Sequence, residues 1–554
     1  MKKRTRAQKW RPDFWFFVKV LVIVSMILFI VYPFYNIITK SVFSNKVDGL
    51  TLYNFKRFIN KPYYYKSLLR SLFVCGMTVL TTTIIGVPIA YIMSRYNVFG
   101  KKVLHVMILL SLMSPPFIGA YSWIILLGRN GIVAKIFESI GLAAPTIYGP
   151  AGIVFVFTLH LFPYIYLYTS GAMNSIDSSL EEAAENLGMN KLRRILTVTL
   201  PVILPSILAG CIMVFMTSLS DFGTPMLIGE GYTVLPVLVY DEFMSESATN
   251  PYMASTLSVV IVFCSLSVLL IQKLIIDKKN YQMSSLRPPA EIELKGVKRF
   301  LVTLPVLLVA LLADIPQIIV AVQSFIERSF SGMVKGYNFS NYKSIFKSLG
   351  TNIRNTYVFS AIALVFIIVV GILVSYILVR KKGKVANLID LMIMFPYVIP
   401  GSVLGIGLIV AFNREPIVLV GSAAIMIISF VVRKLPYTVR SGTAFLYQMD
   451  PFIEEASINL GVPPLKTFFT VTARMMLPGI MSGSIISFIT CINELSSSIM
   501  LYTGKTSTIA VAIYQEVVRM SDGTAAALAT ILTLTTVVSF IAVFKLSKGK
   551  VKIV

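Results

Sequence analysis

The sequence predicts an all-α polytopic membrane protein with about twelve transmembrane helices, arranged as two parallel six-helix repeats. Three observations lead to this prediction. Of the 554 residues, 56% are hydrophobic and only 14% are charged, whereas charged residues make up about 25% of a typical soluble domain. The mean hydropathy is +0.79, and the apolar residues form runs long enough to cross a bilayer. A polar segment that contains an acidic pair also occurs twice, once in each half of the chain.

The apolar runs predict where each span lies and which side its flanks occupy. We expect an uncleaved first span with its N-terminus inside, which places both termini in the cytoplasm. Most segments on that side are then rich in Lys and Arg, as the positive-inside rule requires. The net charge of +25 is distributed between these runs, which favours contact with the lipid membrane over binding of nucleic acid. The predicted spans are residues 16–38, 66–94, 104–127, 150–171, 201–228, 253–276, 300–325, 354–380, 386–412, 417–434, 477–500 and 524–546.

One polar linker divides the chain into two halves of six spans. The linker covers residues 277–299, so the first half is residues 1–276 and the second is residues 300–554. Both halves run in the same direction, which predicts a parallel duplication about an axis along the membrane normal. Matching segments recur outside the acidic pairs as well: Phe162-Pro163-Tyr164 with Leu435-Pro436-Tyr437, and Gly86 to Arg95 with Gly371 to Arg380.

The repeated polar segment predicts a short helix in a loop. In the first copy Asp177 or Ser178 is placed to cap the helix, and Glu181 and Glu182 follow near the positive end of its dipole. Ala183 and Ala184 offer a face of small side chains, and Gly188 ends the helix where a positive φ is needed. The second copy, 273 residues later, has Asp450, Glu454, Glu455, Ala456, Ser457 and Gly461 at the same places.

This segment resembles the signature loop of the membrane subunits of binding-protein-dependent ABC importers. That signature has Glu-Ala-Ala, three residues, Gly, and about nine residues later an end similar to Ile-x-Leu-Pro. The resemblance extends over residues 66–276 and 349–546. The second copy departs from it, because Ser457 replaces an alanine and Ala473-Arg474 replace Leu-Pro, so we expect the helix geometry after the two loops to differ. In the first copy the signature residues are Glu182, Ala183, Ala184, Gly188, Val198, Leu200 and Pro201.

The resemblance implies what the chain does and what it assembles with. Each loop helix is then a cytoplasmic coupling helix that inserts into an ABC ATPase subunit, expected as a homodimer. An extracytoplasmic binding protein delivers the substrate, and the location is the bacterial plasma (inner) membrane. ATP and Mg belong to the ATPase, and no cofactor or metal is expected in this chain.

Several function classes fit the sequence less well. No G-x-x-x-x-G-K-[ST] motif and no nucleophile–base cluster occur, so we expect a transport subunit and no enzyme. A secondary transporter could also have twelve spans in two repeats, but it would not need duplicated docking helices. Within the importers the fused chain most resembles the ferric-iron type, with phosphonate, thiamine and polyamine permeases as alternatives.

Four residues are candidates for the substrate path. Asp221 and Glu494 lie at equivalent places, 273 residues apart, near the ends of apolar runs. An acid inside a membrane span is costly unless it faces water or a partner, so we expect the two to form a carboxylate pair across the central axis. Alternatively, each acid only caps a helix or pairs with a nearby Lys or Arg. Pro116 with Pro396, and Pro163 with Pro436, predict paired helix breaks.

Overall fold

The computed structural model describes residues 14–46, 48–113, 115–129, 131–143, 145–244, 250–277, 291–328 and 334–546. The basic N-terminal segment, most of the linker and the tail after Leu546 lie outside these residues. Within them, nine helices are long and apolar enough to cross a membrane, or eleven if two sharply bent helix pairs each count as one span. The all-α polytopic fold is therefore confirmed.

The first half begins with a helix that contains a π-helical turn, at Ile27–Val31. A second π-helical turn, Ile195–Thr199, lies between α10 and α11. The helices are α1 Phe14–Met26, α2 Tyr32–Ser41, α3 Tyr53–Asn60, α4 Pro62–Arg95, α5 Lys101–Met113, α6 Pro116–Leu127, α7 Ile132–Ser139, α8 Pro150–Met173, α9 Ser178–Asn186, α10 Lys191–Arg194, α11 Leu200–Ser220, α12 Gly223–Ile228, α13 Leu235–Met244 and α14 Pro251–Asp277.

The second half adds two small antiparallel hairpins, β1 with β2 and β3 with β4. Ile326 pairs with Tyr337 in the first hairpin, and Asn413 pairs with Val418 in the second. A π-helical turn, Phe468–Thr472, lies between α22 and α23. The elements are α15 Gly296–Gln323, β1 Ile326–Arg328, β2 Val334–Tyr337, α16 Ser340–Ser348, α17 Gly350–Arg380, α18 Lys384–Val398, α19 Gly401–Phe412, β3 Asn413–Arg414, β4 Ile417–Val418, α20 Ala423–Gln448, α21 Phe452–Asn459, α22 Pro464–Thr467, α23 Ala473–Ile492, α24 Ser498–Leu501, α25 Ile509–Val518 and α26 Asp522–Leu546.

The two halves build their cores from the same three helices. In the first half α8 packs between α4 and α11, and in the second half α20 packs between α17 and α23. In both halves the first and second of these helices approach each other closely at a glycine, Gly86 on α4 and Gly371 on α17. A Cβ on Gly86 would lie 2.7 Å from the Cβ of Ile165, and one on Gly371 would lie 2.8 Å from Cγ2 of Thr438. No side chain fits at either place without moving a core helix.

The elements that follow the two loop helices are the same in both halves. A four-residue α-helix, a π-helical turn and a long helix follow in order after each loop helix. The expected difference in helix geometry after the two loops stays a prediction, but Leu200-Pro201 and Ala473-Arg474 begin their long helices in the same order of elements. The physical reason is that Pro201 lies in the first turn of α11, where a missing N–H is tolerated.

Two predicted spans are broken by sharp bends. Residues 104–127 form α5 and α6, which meet at 98°, and residues 386–412 form α18 and α19, which meet at 108°. Pro115 and Pro400 are the N-cap residues of α6 and α19. A proline with its fixed φ suits such a position because the preceding helix has already ended.

The predicted pairing of prolines is partly wrong. Pro116 begins α6 at the bend, but Pro396 lies inside α18 and the second bend comes at Pro400 instead. Pro163 and Pro436 lie inside α8 and α20, which continue through them. A helix in a bundle continues through a proline when neighbouring groups satisfy the freed carbonyl.

Three other predicted spans have different ends. The span predicted at 417–434 is α20, which starts at Ala423 after the β3–β4 hairpin. It is missing from the apolar spans counted above, because it contains Arg433, Lys434 and Arg440. The spans predicted at 201–228 and 477–500 end earlier, where α11 and α23 stop and the short helices α12 and α24 follow.

The first helix of the chain packs mainly on the second half. Near its start, Trp15 stacks on Tyr376 of α17 with ring centroids 4.5 Å apart. Farther along, α2 packs on α19, where a Cβ on Gly407 would lie 3.0 Å from Cδ1 of Ile37. At its end, the carbonyl of Ser41 accepts a hydrogen bond from Oγ1 of Thr256 on α14, at 3.3 Å. The α1–α2 helix therefore contacts the second half along its length and reaches the first half at its far end.

The first helix of the second half mirrors this arrangement. Near the start of α15, Nη2 of Arg299 donates to Oδ1 of Asn97 in the first half, at 2.9 Å. Near the other end, Oγ1 of Thr530 on α26 donates to the carbonyl of Val320, at 3.4 Å. We call α1–α2 and α15 the bridging helices.

The described end of the linker also binds the first half. The N–H of Ile292 donates to the carbonyl of Arg95 at 2.8 Å, and the N–H of Asn97 donates to the carbonyl of Ile292 at 3.2 Å. The Glu291 carboxylate pairs with Lys101 at 2.7 Å. The boundaries predicted for the two halves stay a prediction.

Candidate functional site

The two loop helices, α9 and α21, begin with equivalent aspartate caps. Oδ1 of Asp177 accepts a hydrogen bond from the N–H of Ser179 at 3.0 Å. Oδ1 of Asp450 accepts one from the N–H of Phe452 at 2.9 Å. These side chains satisfy backbone donors that the first turn of a helix leaves free.

Both loop helices end at a glycine in the left-handed conformation, with φ of +77° at Gly188 and +85° at Gly461. In α9 the N–H of Met189 bonds to the carbonyl of Ala184 at 3.1 Å, and that of Gly188 to Glu185 at 2.9 Å. Equivalent bonds close α21. This is the Schellman ending, which places a glycine at this position because other residues are strained there.

The first glutamate of each acidic pair binds an arginine at the end of a core helix. Nη2 of Arg95, in the last turn of α4, lies 2.6 Å from Oε1 of Glu181, which also accepts from the Thr199 hydroxyl at 3.0 Å. Nε of Arg380, in the last turn of α17, lies 3.0 Å from Oε1 of Glu454. Because Arg95 is only 5% exposed, this ion pair is shielded from water and fixes the loop helix to α4.

The second glutamates point away from the chain. Glu182 and Glu455 are exposed, as are Ala183 and Ala456. The predicted face of small side chains is thus only partly on the outside, because the second small residue of each pair lies towards the chain. Ala184 is buried and Ser457 hydrogen-bonds with Thr467 at 3.0 Å, because this side of the helix packs on the segment that follows it.

The structure also reveals an apolar tip on each loop that the sequence analysis missed. Leu187 is 79% exposed and Leu460 is 85% exposed, one residue before the terminal glycines. The signal was present in the sequence as the repeated Asn-Leu-Gly. A single exposed leucine is ordinary on a protein surface, but both loops present one at the equivalent position, so the duplicated loops share this feature.

Asp221 lies between α11 and α12 and acts as a helix cap. Its Oδ1 accepts from the N–H of Gly223 at 3.3 Å, and its Oδ2 accepts from the N–H of Thr224 at 3.2 Å. The carboxylate is thus directed at the start of α12, where the helix dipole favours a negative charge.

Glu494, its counterpart, is buried in a cluster with two cations of α20. The carboxylate forms an ion pair with Arg433 and another with Lys434, the latter at 2.6 Å. Oε1 also accepts from the N–H of Ser497 at 3.0 Å. The sequence analysis missed both cations, although two adjacent basic residues within an apolar run are a visible signal of an intramembrane site.

The segments after these two acids meet where the halves adjoin. A Cβ on Gly223 would lie 3.1 Å from Cδ2 of Leu495. Each carboxylate finds its partners within its own half. Asp221 caps α12 in the first half, and Glu494 forms ion pairs with α20 in the second half. The predicted carboxylate pair and the roles of Pro116 and Pro396 in the path stay predictions.

Among the described residues, no group of three or more His, Cys, Asp or Glu side chains is placed to hold a metal ion. The four cysteines are free thiols, and Nδ1 of His105 is occupied by the Tyr166 hydroxyl at 2.7 Å.

Comparison with known proteins matches the repeat found in the fold. Residues 86–280 and residues 367–552 each match the family described as binding-protein-dependent transport system inner membrane component. A putative ferric transport system permease protein of Haemophilus influenzae is 26% identical over 494 residues, covering 88% of this chain and 77% of its own length.

Two further relatives differ in how much of the chain they cover. An Fe(3+)-transport system permease protein of Haemophilus influenzae is 22% identical over 542 residues, covering 97% of this chain and 99% of its own length. A molybdenum transport system permease protein of the same organism is 30% identical over 184 residues, covering 32% of this chain and 79% of its own length. The second relative therefore corresponds to less than one half of this chain.

Proposed function

Because the chain belongs to the inner membrane components of binding-protein-dependent transport systems, we propose that it forms the translocation path of an ATP-driven importer. A separate ABC ATPase, a homodimer that carries ATP and Mg, docks on α9 and α21 from the cytoplasm. A binding protein delivers substrate at the opposite end. Both termini of the chain are cytoplasmic, and the chain itself hydrolyses no ATP.

The observation that carries this proposal is the equivalence of the two loop helices. Each has an aspartate cap, a shielded Glu–Arg ion pair and an exposed leucine before a left-handed glycine. Two such surfaces at one end of a duplicated bundle suit a partner with twofold symmetry. Glu182 and Glu455 supply charged contacts around the apolar tips of Leu187 and Leu460.

The proposed substrate is ferric iron. The relatives that extend over 88% and 97% of this chain are named as ferric or Fe(3+) permeases. In this proposal Asp221 and Glu494 mark the substrate path, together with the bends near Pro116 and Pro396. The family leaves the substrate open, because the binding protein contributes to selectivity.

One observation favours a second candidate, an oxyanion such as molybdate. The intramembrane cluster contains two cations, Arg433 and Lys434, and one carboxylate, Glu494. A net positive charge inside the bundle attracts anions. The molybdenum permease relative, although it matches a shorter part of the chain, agrees with this alternative.

The docking surface is tested with charge-introducing variants of the two tips. We expect the double variant L187E/L460E to lose co-purification of the ATPase, because it places two carboxylates in an apolar contact. The matched control is L50E, since Leu50 is 77% exposed but lies at the opposite end of the bundle. Normal ATPase recovery with the double variant would contradict the docking assignment.

The substrate is tested in proteoliposomes that contain the full complex. Binding protein loaded with radioactive ferric iron is added outside, ATP is enclosed, and uptake is compared with that of molybdate. ATP-dependent iron uptake is the expected result. Uptake of molybdate alone would replace the ferric assignment with the oxyanion one.

A further inference from the structure

Four tyrosines from both halves form a cluster in the interior of the bundle. Tyr164 and Tyr168 lie on α8, Tyr397 lies at the end of α18 beside the bend, and Tyr437 lies on α20. Tyr164 and Tyr437 are equivalent residues, 273 positions apart. The cluster therefore lies on the pseudo-twofold axis, where a path between the halves must pass.

Direct contacts join these phenol groups across the boundary between the halves. The rings of Tyr397 and Tyr437 pack edge to face with centroids 5.6 Å apart. The Tyr397 hydroxyl also lies 3.5 Å from the sulfur of Met213 on α11. Tyr164 lies near Tyr437 and Tyr168.

The phenol groups are neither closely packed core nor external surface. All four tyrosines remain partly accessible, although Tyr164 and Tyr437 lie near the middle of helices of 24 and 26 residues. Accessible side chains at the boundary between the two halves are expected along the proposed translocation path. A passage through the bundle is where polar groups at membrane depth are tolerated.

The cluster is continuous with the ion-paired residues. Arg433 precedes Tyr437 by one helical turn on α20, so both face the same side. Tyr437 also lies near Glu494. Glu494 is already bound to Arg433 and Lys434, and Asp221 caps α12. Neither carboxylate is free to bind a permeating ion, so the phenol oxygens are the remaining candidate oxygen ligands of this region.

Oxygen donors of this kind suit one class of permeating ion. Hard cations prefer oxygen ligands over sulfur and nitrogen, and a tyrosine oxygen is an established ligand of protein-bound ferric iron in haem. We propose that Tyr164, Tyr397 and Tyr437 form a transient binding site for a hard trivalent cation where the path passes between the two halves. This inference rests on the proposed function, since it takes ferric iron as the substrate.

Binding at this site needs only proton exchange. Each phenol that coordinates the ion releases its proton to water in the passage, and it regains a proton when the ion moves on. The iron stays ferric throughout, so no reductant is needed. A hydroxyl that is neutral when the site is empty holds the ion weakly, which permits release towards the cytoplasm.

The test uses the complete complex with phenylalanine variants, which keep the ring and remove the oxygen. We expect Y164F/Y397F/Y437F to reduce ATP-dependent import of ferric iron by about tenfold or more, a loss typical of weakened metal ligation. Assembly with the ATPase and ATP hydrolysis should remain normal. The matched control is Y166F on the same helix, because the Tyr166 hydroxyl binds His105 outside the cluster.

Spectroscopy provides a second readout that does not depend on transport. Ferric citrate added to the purified wild-type complex should produce a visible phenolate-to-iron charge-transfer band, which the triple variant lacks and Y166F retains. Unchanged import by the triple variant, or a charge-transfer band that survives in it, would overturn the inference and leave the ferric substrate intact. A wild-type complex that imports no ferric iron would overturn both.

Discussion

At the scale of single residues, the Glu–Arg ion pair of each loop helix joins the proposed ATPase contact to a core helix. The Glu181–Arg95 ion pair of the first half and the Glu454–Arg380 ion pair of the second half join equivalent elements. Removing one partner of a buried ion pair leaves an uncompensated charge and costs about 3–5 kcal/mol. Movement of the docked partner would therefore reach α4 and α17 through these bonds.

We predict that Arg95→Gln and Arg380→Gln each uncouple ATP hydrolysis from import. The loop helix would remain capped but would no longer be fixed to its core helix. Simultaneous measurement of ATPase rate and substrate uptake in proteoliposomes checks this. Arg440→Gln is the control. Arg440 also forms an ion pair, with Nη2 3.0 Å from Oδ1 of Asp390, but the Arg440 side chain is 50% exposed and that of Asp390 is 37% exposed. Exposed pairs contribute about 1 kcal/mol or less. Coupled transport in both variants would show that the ion pairs only stabilise the loops.

The sequence predicted the acids of this site better than their partners. The glutamates stand out because they repeat within a polar segment, and helix capping is a local effect that few residues decide. Arg95 and Arg380 end two segments that the sequence already paired, yet each lies more than 70 residues from its glutamate. Which cation meets which acid depends on how α4 packs on α8, and local patterns carry no information about that.

At the scale of elements, the loop helices depend on their left-handed glycines. We predict that G188V and G461V each impair ATP-dependent import while the chain still inserts in the membrane, because a β-branched residue is strained by about 1–2 kcal/mol at a positive φ. Import rates and membrane abundance are the measurements. G76V is the control, because a Cβ on Gly76 would meet no atom within 4 Å and that glycine has an ordinary helical φ.

The two glycine variants should differ in severity. The second loop has additional support, since Ser457 bonds to Thr467 and Trp15 packs on Phe468 with ring centroids 4.8 Å apart. The first loop has instead the Glu185–Arg194 ion pair, in which Glu185 is 70% exposed, and exposed pairs contribute about 1 kcal/mol or less. We therefore expect G188V to reduce import more than G461V, and equal losses would contradict this ranking.

Prolines show where prediction from sequence fails at this scale. The sequence identifies Pro396 and Pro400 as potential breaks four residues apart, and only Pro400 becomes one. At the bend, a Cβ on Gly401 would lie 2.7 Å from Cβ of Ser496, so the backbone of α19 approaches the second acid-bearing segment closely. The choice of break depends on this packing between helices distant in sequence.

At the scale of the whole molecule, the bridging helices make the halves interdependent. We predict that fragments 1–283 and 284–554, expressed together, co-purify without a covalent link. The contacts of α1–α2 with the second half and of α15 with the first half would hold them together. A first fragment that begins at residue 42 and so lacks α1–α2 serves as the comparison, and we expect its recovery to fall. Equal recovery of the second half with both fragments would show that the core interface alone suffices.

The course of the bridging helices has a mechanical consequence. A helix of 28 residues such as Phe14–Ser41 is about 42 Å long and stiff along its axis. It lies against α17 and α18 near its start and against α19 and α14 near its end, while α15 lies against α5 and α6 of the first half and against α26. Each half is therefore flanked by the first helix of the other half. Pulling the halves apart would strip a stiff rod from the side of each one, so the two rods oppose separation along the whole depth of the bundle.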